Sequence, residues 1–195
     1  MVADYYFAAP RMRHSLEEYY AMLEASDRRW EFWEGEFICM AGGTPEHAII
    51  ASNVFEELVT RLKGRGCRVF GSDMAIKTPS LPPFRYPDLS VVCGKPVFGK
   101  VDKFHVLVNP LILIEVLSTS TEHLDREPKR LAYQAIPSVQ EYLLVAQNIP
   151  HVTRFVRKGR RWQRFEYGSL KAVVELSSLE GELPLSEVYR GVEFN

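Results

Sequence analysis

Large apolar residues recur along this chain with two different periods, and the switches between them predict most of its elements. Ile50, Val54, Leu58 and Leu62 repeat at helical spacing and define the core face of a helix. Thr44-Pro45 opens it with an N-cap hydroxyl and a proline at the first helical position, and Gly64, after Lys63, is a natural stop. Strand-like runs follow at residues 67–70 and 74–77, which a bend or bulge at Gly71-Ser72 could join, and then at 85–93. Residues 94–110 read as a loop or short irregular excursion. Residues 111–121, LILIEVLSTST, are a continuous aliphatic run with one carboxylate, Glu115, in the middle. Such a run suits a strand buried on both faces of a sheet.

The next stretch, EHLDREPKRLAYQAI, is helical in character. Pro128 fits only the first turn of a regular helix, so that helix should begin near Asp125 or Arg126 and end at Ile136, before Pro137. Strands are expected at 140–146, 152–156, 162–167 and 172–176, with Ser186 capping a short terminal helix. Upstream, Ser15-Leu16-Glu17-Glu18 matches a capping box for a helix to about Ala25, and WEFWEGEFICM reads as a hairpin turning at Glu34-Gly35. Residues 1–14 carry no period and read as a loose arm. From 44 to 146 the order is helix, three strands, helix, strand. The second helix links two strands as a crossover would, so a mixed α/β (α+β) sheet flanked by helices is expected, with a hairpin added before it and strands after it. The 195 residues, 46% of them hydrophobic, suffice for one packed domain over 1–195, and no repeat or linker divides them.

The chemistry centres on Glu115. A glutamate in a buried strand needs a strong partner, so it marks either a site or an internal ion pair. Asp88 lies two residues into the preceding predicted strand, close enough along the chain for adjacent strands to bring the two carboxylates together. Converging carboxylates form a hard-oxygen site suited to Mg²⁺. Asp125, Lys129 and Tyr133 follow at four-residue steps and share a helix face. From there Lys129 could point over the carboxylates; the plainer readings are an N-cap, a solvated lysine and a core tyrosine. Glu46 and His47 lie in the first turn of the earlier helix, as a dipole-complementing charge and a half-buried histidine or as members of the site.

Charge adds little: 24 basic against 25 acidic residues leave a net −1, and no global basic field announces nucleic acid. The basic stretch 157–161 with Trp162 reads as a phosphate-contacting hairpin tip or as a solvated turn, and Arg85 as a comparable phosphate contact. Cys39, Cys67 and Cys93 are scattered, odd in number and without a CxxC pair, which argues against a disulfide framework or a zinc site and fits a reducing compartment. No apolar run approaches a membrane span and no basic-then-apolar leader opens the chain, so a soluble, cytoplasmic protein is expected.

One pattern now stands out. Pro-Asp at 87–88, Glu-Val-Leu-Ser-x-Ser-Thr from Glu115, the Asp125, Lys129 and Tyr133 steps, and Glu-Tyr-x-Leu-Val from Glu141 resemble the Uma-two family of restriction-endonuclease-like proteins. The likeness runs from about Trp30 to Tyr189 and includes the Glu-Gly-Glu hairpin and the Pro-Glu-His helix start. It implies the PD-(D/E)XK nuclease core and Mg²⁺-dependent (alternatively Mn²⁺-dependent) hydrolysis of nucleic acid, DNA above all. It also implies Asp88, Glu115 and the Val116 carbonyl as metal ligands, Lys129 as the catalytic lysine and Glu46 as a completing carboxylate. Asp125, Tyr133, His47 and Arg85 would be accessory. The sequence departs from the superfamily at Leu117, where a lysine usually stands. That departure leaves open a nuclease-fold binding or assembly protein that cleaves nothing; a metal-free carboxylate hydrolase is a further alternative. A homodimer also stays open, with Trp30 and Trp33 as candidate interface aromatics.

Overall fold

The capping box at Ser15 forms: Ser15 Oγ accepts the Glu18 N–H at 3.2 Å, and Glu18 Oε2 accepts the Ser15 N–H at 2.7 Å. It opens helix α1 (Leu16–Ala25) of a computed structural model that describes residues 13–40, 43–118 and 122–194. Two compact units divide at residues 42–43. Most of the expected N-terminal arm, residues 1–12, lies outside the described residues, as do 119–121 of the Ser-Thr tract. In the first unit, strands β1 (Trp30–Trp33) and β2 (Glu36–Cys39) pair antiparallel. Glu34 and Gly35 have φ of 47° and 88°, the left-handed pair that a two-residue hairpin turn demands. Tyr19 of α1 is buried, stacks on Phe32 and donates its hydroxyl to the Trp30 carbonyl at 2.7 Å. Trp33, a candidate interface aromatic, is instead buried, and its indole N–H is given to Glu31 at 3.0 Å.

The second unit opens with α2 (Pro45–Leu62), where Thr44 Oγ1 accepts the His47 N–H and Lys63 closes the helix. Then come β3 (Cys67–Gly71), β4 (Ala75–Lys77), β5 (Phe84–Arg85), β6 (Leu89–Cys93), β7 (Phe98–Val101), β8 (Phe104–Leu107) and β9 (Ile112–Leu117). A helical segment follows in three pieces: α3 (Glu122–Leu124), a π-helical turn (Asp125–Lys129) and α4 (Arg130–Gln134). Last are β10 (Glu141–Ala146), β11 (Val152–Lys158), β12 (Arg161–Tyr167), β13 (Val173–Leu176), β14 (Gly181–Pro184) and α5 (Leu185–Val188).

The main sheet has six strands in the order β12-β11-β10-β9-β6-β3. Only β9 and β10 pair parallel, as the helical crossover between them requires. Alternation along β9 sends Ile112, Ile114 and Val116 into a cluster with Ile50, Val54, Leu58 and Leu62 of α2. Leu113 and Leu117 join a second cluster with Tyr133, Ile136 and Tyr142 on the other face. The aliphatic run is continuous because helices cover both faces, and Glu115 shares the face of Leu113 and Leu117.

Several expectations are corrected. The runs at 67–70 and 74–77 are not one bent strand: β3 belongs to the main sheet and β4 to a second sheet, β5-β4-β8-β7. Residues 94–110 are not wholly irregular; within them lies the hairpin β7–β8, whose short arms are half exposed and carry little period-two signal. The run at 85–93 breaks at Tyr86-Pro87-Asp88, so Asp88 precedes β6 rather than lying within it. Pro128 sits inside the helical segment, because a π turn widens the coil around the missing donor and the ring. Ser186 lies within α5, whose N-cap is Pro184. Cys67 and Cys93 face each other across β3 and β6 and form a disulfide, leaving Cys39 as a thiol. Cysteine spacing therefore no longer speaks for a reducing compartment. Among the described residues no helix is long and apolar enough to cross a membrane.

A buried ion pair fastens the sheet to the C-terminal strands. Arg154 Nε donates to Glu141 Oε2 at 2.6 Å, Arg154 Nη2 to Ser177 Oγ at 2.6 Å, and the Ser178 N–H to Glu141 Oε1 at 2.7 Å. Removing one partner of such a pair strands the other charge, so Glu141→Ala should destabilise the chain by about 3–5 kcal/mol, read as a shift in the urea midpoint. A loss under about 1 kcal/mol would mean that Ser177 and water compensate Arg154.

Candidate active site

The pairing of Leu89 with Ile114 is the last rung of the β6–β9 ladder at this end, and it places Asp88 opposite Glu115. Pro87 has no N–H to give, and side chains take over the bonding where the strands part. The Val116 N–H donates to Asp88 Oδ2 at 2.7 Å, and the Asp88 N–H donates to Glu115 Oε2 at 3.3 Å. Each carboxylate is thus fixed by the backbone of the other strand. Glu115 is only 2% exposed, whereas the Asp88 side chain is 17% exposed. The pair runs from the core to the surface.

The helical segment brings the opposite charge. Lys129 Nζ stands 3.2 Å from Glu115 Oε1 and 2.9 Å from Asp125 Oδ1, all three side chains being almost fully buried. The Tyr133 hydroxyl donates to Glu115 Oε1 at 2.9 Å. The Tyr142 hydroxyl donates to the Asp125 carbonyl at 2.9 Å, and burial, with Glu115 and Asp125 nearby, pushes that phenol well above its ordinary range. Asp125 and Lys129 stand four residues apart along the π turn and share its inner face, so the carboxylate holds the ammonium against Glu115. Two anions and one cation out of water are tolerable only when each is met this closely.

Two other sequence candidates fall differently. His47 Nε2 lies 3.3 Å from Asp88 Oδ2. The bond to Asp88 raises the imidazole's pKa, and partial burial opposes the rise. Glu46 is exposed in the first turn of α2, where its own N–H and the Thr44 hydroxyl lower its pKa; among the described residues it makes no ion pair with the other site members.

Two of the basic candidates do not face solvent as read. Arg85 is buried, with its Nη2 3.5 Å from the Leu81 carbonyl. Arg157 is not a free hairpin-tip cation: its Nε donates to the Val139 carbonyl at 2.7 Å and its Nη2 to those of Gln134 and Ile136 at 2.7 and 2.9 Å, over the Trp162 ring. It caps the end of the segment that carries Lys129. A basic residue beside an aromatic gives no sequence sign of that role. Lys158, Arg160 and Arg161 at the same tip are exposed.

Among the described residues no three His, Cys, Asp or Glu side chains group as a ready metal cage. Mg²⁺ does not need one, since it keeps several waters and takes one or two carboxylates. Asp88 Oδ1 accepts no hydrogen bond from the described residues and belongs to the more exposed carboxylate of the pair. Oxygen donors of that kind suit a hard cation.

Comparison with known proteins agrees with this architecture. A family model described as "Uma2: Putative restriction endonuclease" matches residues 16–186. An uncharacterized protein of Synechocystis is 29% identical over 188 residues, 96% of this chain and 97% of that one. A second uncharacterized Synechocystis protein is 32% identical over 164 residues, 84% of this chain and 92% of its own length. A solved structure from Anabaena variabilis, titled a "putative nuclease belonging to DUF820", aligns with TM-score 0.65 at 18% identity, covering 84% of this chain and 91% of that one. At that identity the likeness speaks for the fold, and the mixed, nuclease-like α+β fold read from the sequence is the one observed.

Proposed function

The chain belongs to the Uma2 family, and from that premise we propose that it is a metal-dependent endonuclease hydrolysing phosphodiester bonds, with DNA as its substrate. The observation that carries the reading is the facing of Asp88 and Glu115 where β6 and β9 part, with the Lys129 ammonium 3.2 Å from one of them. Asp88, Glu115 and the Val116 carbonyl would hold Mg²⁺, or Mn²⁺ in its place. When bound, such an ion orients and acidifies an attacking water and neutralises charge on phosphoryl oxygens. Asp125 and Glu115 keep Lys129 oriented in surroundings of low dielectric, where its charge acts on a neighbouring phosphoryl group far more strongly than in water. Tyr133 fixes the rotamer of Glu115, and His47 fixes the outer carboxylate. The buried position of Lys129 removes the plainer reading of a solvated surface lysine.

The test is incubation of supercoiled plasmid with the protein and Mg²⁺ or Mn²⁺, with and without chelator. Nicking that needs the ion is expected. Asp88→Asn keeps an amide oxygen but loses the anionic charge, and should reduce the rate at least about tenfold. Ion binding without cleavage of any DNA or RNA substrate would overturn the enzyme reading in favour of a nuclease-fold binding protein.

A further inference from the structure

Strand β12 closes one side of the six-stranded sheet, and among the described residues no strand pairs with its outer edge. It is seven residues long, and five of them, Arg161, Gln163, Arg164, Phe165 and Glu166, are exposed. Long bare edges of this kind are ordinarily shortened, bulged or covered, because they template pairing with another strand.

Hydrogen-bond alternation tells which groups face outward. The Arg157 N–H of β11 is given to the Gln140 carbonyl at 2.8 Å, on the β10 side. Backbone groups of Arg154, Val156 and Lys158 therefore point to β12, where they meet Phe165, Gln163 and Arg161. The remaining backbone groups, those of Trp162, Arg164 and Glu166, point away from the sheet.

We infer that this edge pairs antiparallel with the same edge of a second copy, about a two-fold axis at Phe165. This register sets Arg164 against the partner subunit's Glu166 and Glu166 against the partner subunit's Arg164, at outward hydrogen-bonding positions. It also brings Phe165 onto its own counterpart at the close, non-hydrogen-bonded position. Centring one residue earlier would set Arg164 against itself. In the single chain Arg164 already pairs with Glu166, which also accepts from Thr153 and lies 3.1 Å from His151, so the carboxylate is held ready on the edge. Phe165 is 41% exposed, and pairing would cover it. Two sheets would become one continuous sheet, each copy keeping its own site.

Sedimentation of the full chain tests this, together with cysteine cross-linking on a Cys39→Ser background. A dimer is expected, with Phe165→Cys joined by disulfide under mild oxidation. Arg161→Cys should not cross-link, because that register holds its two copies roughly 25 Å apart. Arg164→Pro deletes an outward N–H and no bond to β11, so it should give a folded monomer whose unfolding temperature no longer depends on protein concentration. A wild-type monomer, a dimer that survives Arg164→Pro, or cross-linking at Arg161→Cys in place of Phe165→Cys would each overturn the inference.

Discussion

Glu115→Gln is expected to cut metal-dependent cleavage by about a thousandfold or more while leaving the chain folded. An ion in such a site supplies several kcal/mol to the transition state, and a thousandfold corresponds to about 4 kcal/mol. Glutamine keeps the size of the side chain and an oxygen that can accept the Tyr133 hydroxyl, now 2.9 Å from Oε1. Lys129 keeps Asp125 at 2.9 Å as its counter-charge. The fold should therefore lose only about 1–3 kcal/mol, the cost of one charge-assisted contact. Single-turnover cleavage beside a urea titration separates the two effects. Glu115→Ala, which removes both acceptor oxygens, should be less stable than Glu115→Gln and no more active. If Glu115→Gln cleaved within about tenfold of wild type, several kcal/mol of metal chemistry could not rest on it. Its carboxylate would then be a structural partner of Lys129.

Period and polarity were enough to read the core, because α2, β9 and β10 are long and each is covered by apolar neighbours that enforce a regular pattern. Glu115 stood out for the same reason: one carboxylate in an aliphatic strand is a conflict that only a partner resolves. Asp88, Lys129 and Tyr133 could be placed near it because strand adjacency and four-residue steps are geometric rules. Contacts between segments that share no period stayed hidden. Arg157 looked like a hairpin-tip cation and instead caps the Lys129 segment through three carbonyls. The disulfide depends on the β3–β6 register, which two five-residue strands do not announce. The π turn was hidden by a sound rule, that proline ends a regular helix, because the segment is not a regular helix. Glu141, at the head of the Glu-Tyr-x-Leu-Val motif, neutralises the buried Arg154, a pairing that no spacing in the sequence announced.

The second large effect is expected at the lysine of the helical segment. Lys129→Met should lower cleavage by about a hundredfold or more, as loss of one preorganised charge does at other phosphoryl and acyl sites. It also leaves Glu115 and Asp125 buried without their shared cation. Like carboxylates deprived of a counter-charge resist ionisation, so the variant should lose more stability near neutral pH than in mild acid, where they can take up protons. Leu117 is 4% exposed and packs in the same cluster as Tyr133, on the Glu115 face of β9. A lysine there would approach Glu115 along its own strand, while Lys129 approaches from the helical segment across the same face. Leu117→Lys combined with Lys129→Met should therefore regain at least tenfold of the lost activity, because the charge returns beside the same carboxylate from the other side. Leu117→Lys alone should be poorly stable, since it crowds a second cation into a site balanced for one. If Lys129→Met kept wild-type cleavage, the helix lysine would be no more than a structural counter-ion. If the double variant stayed as inactive as Lys129→Met, the two positions would not be interchangeable, and the charge would have to come from the helical segment.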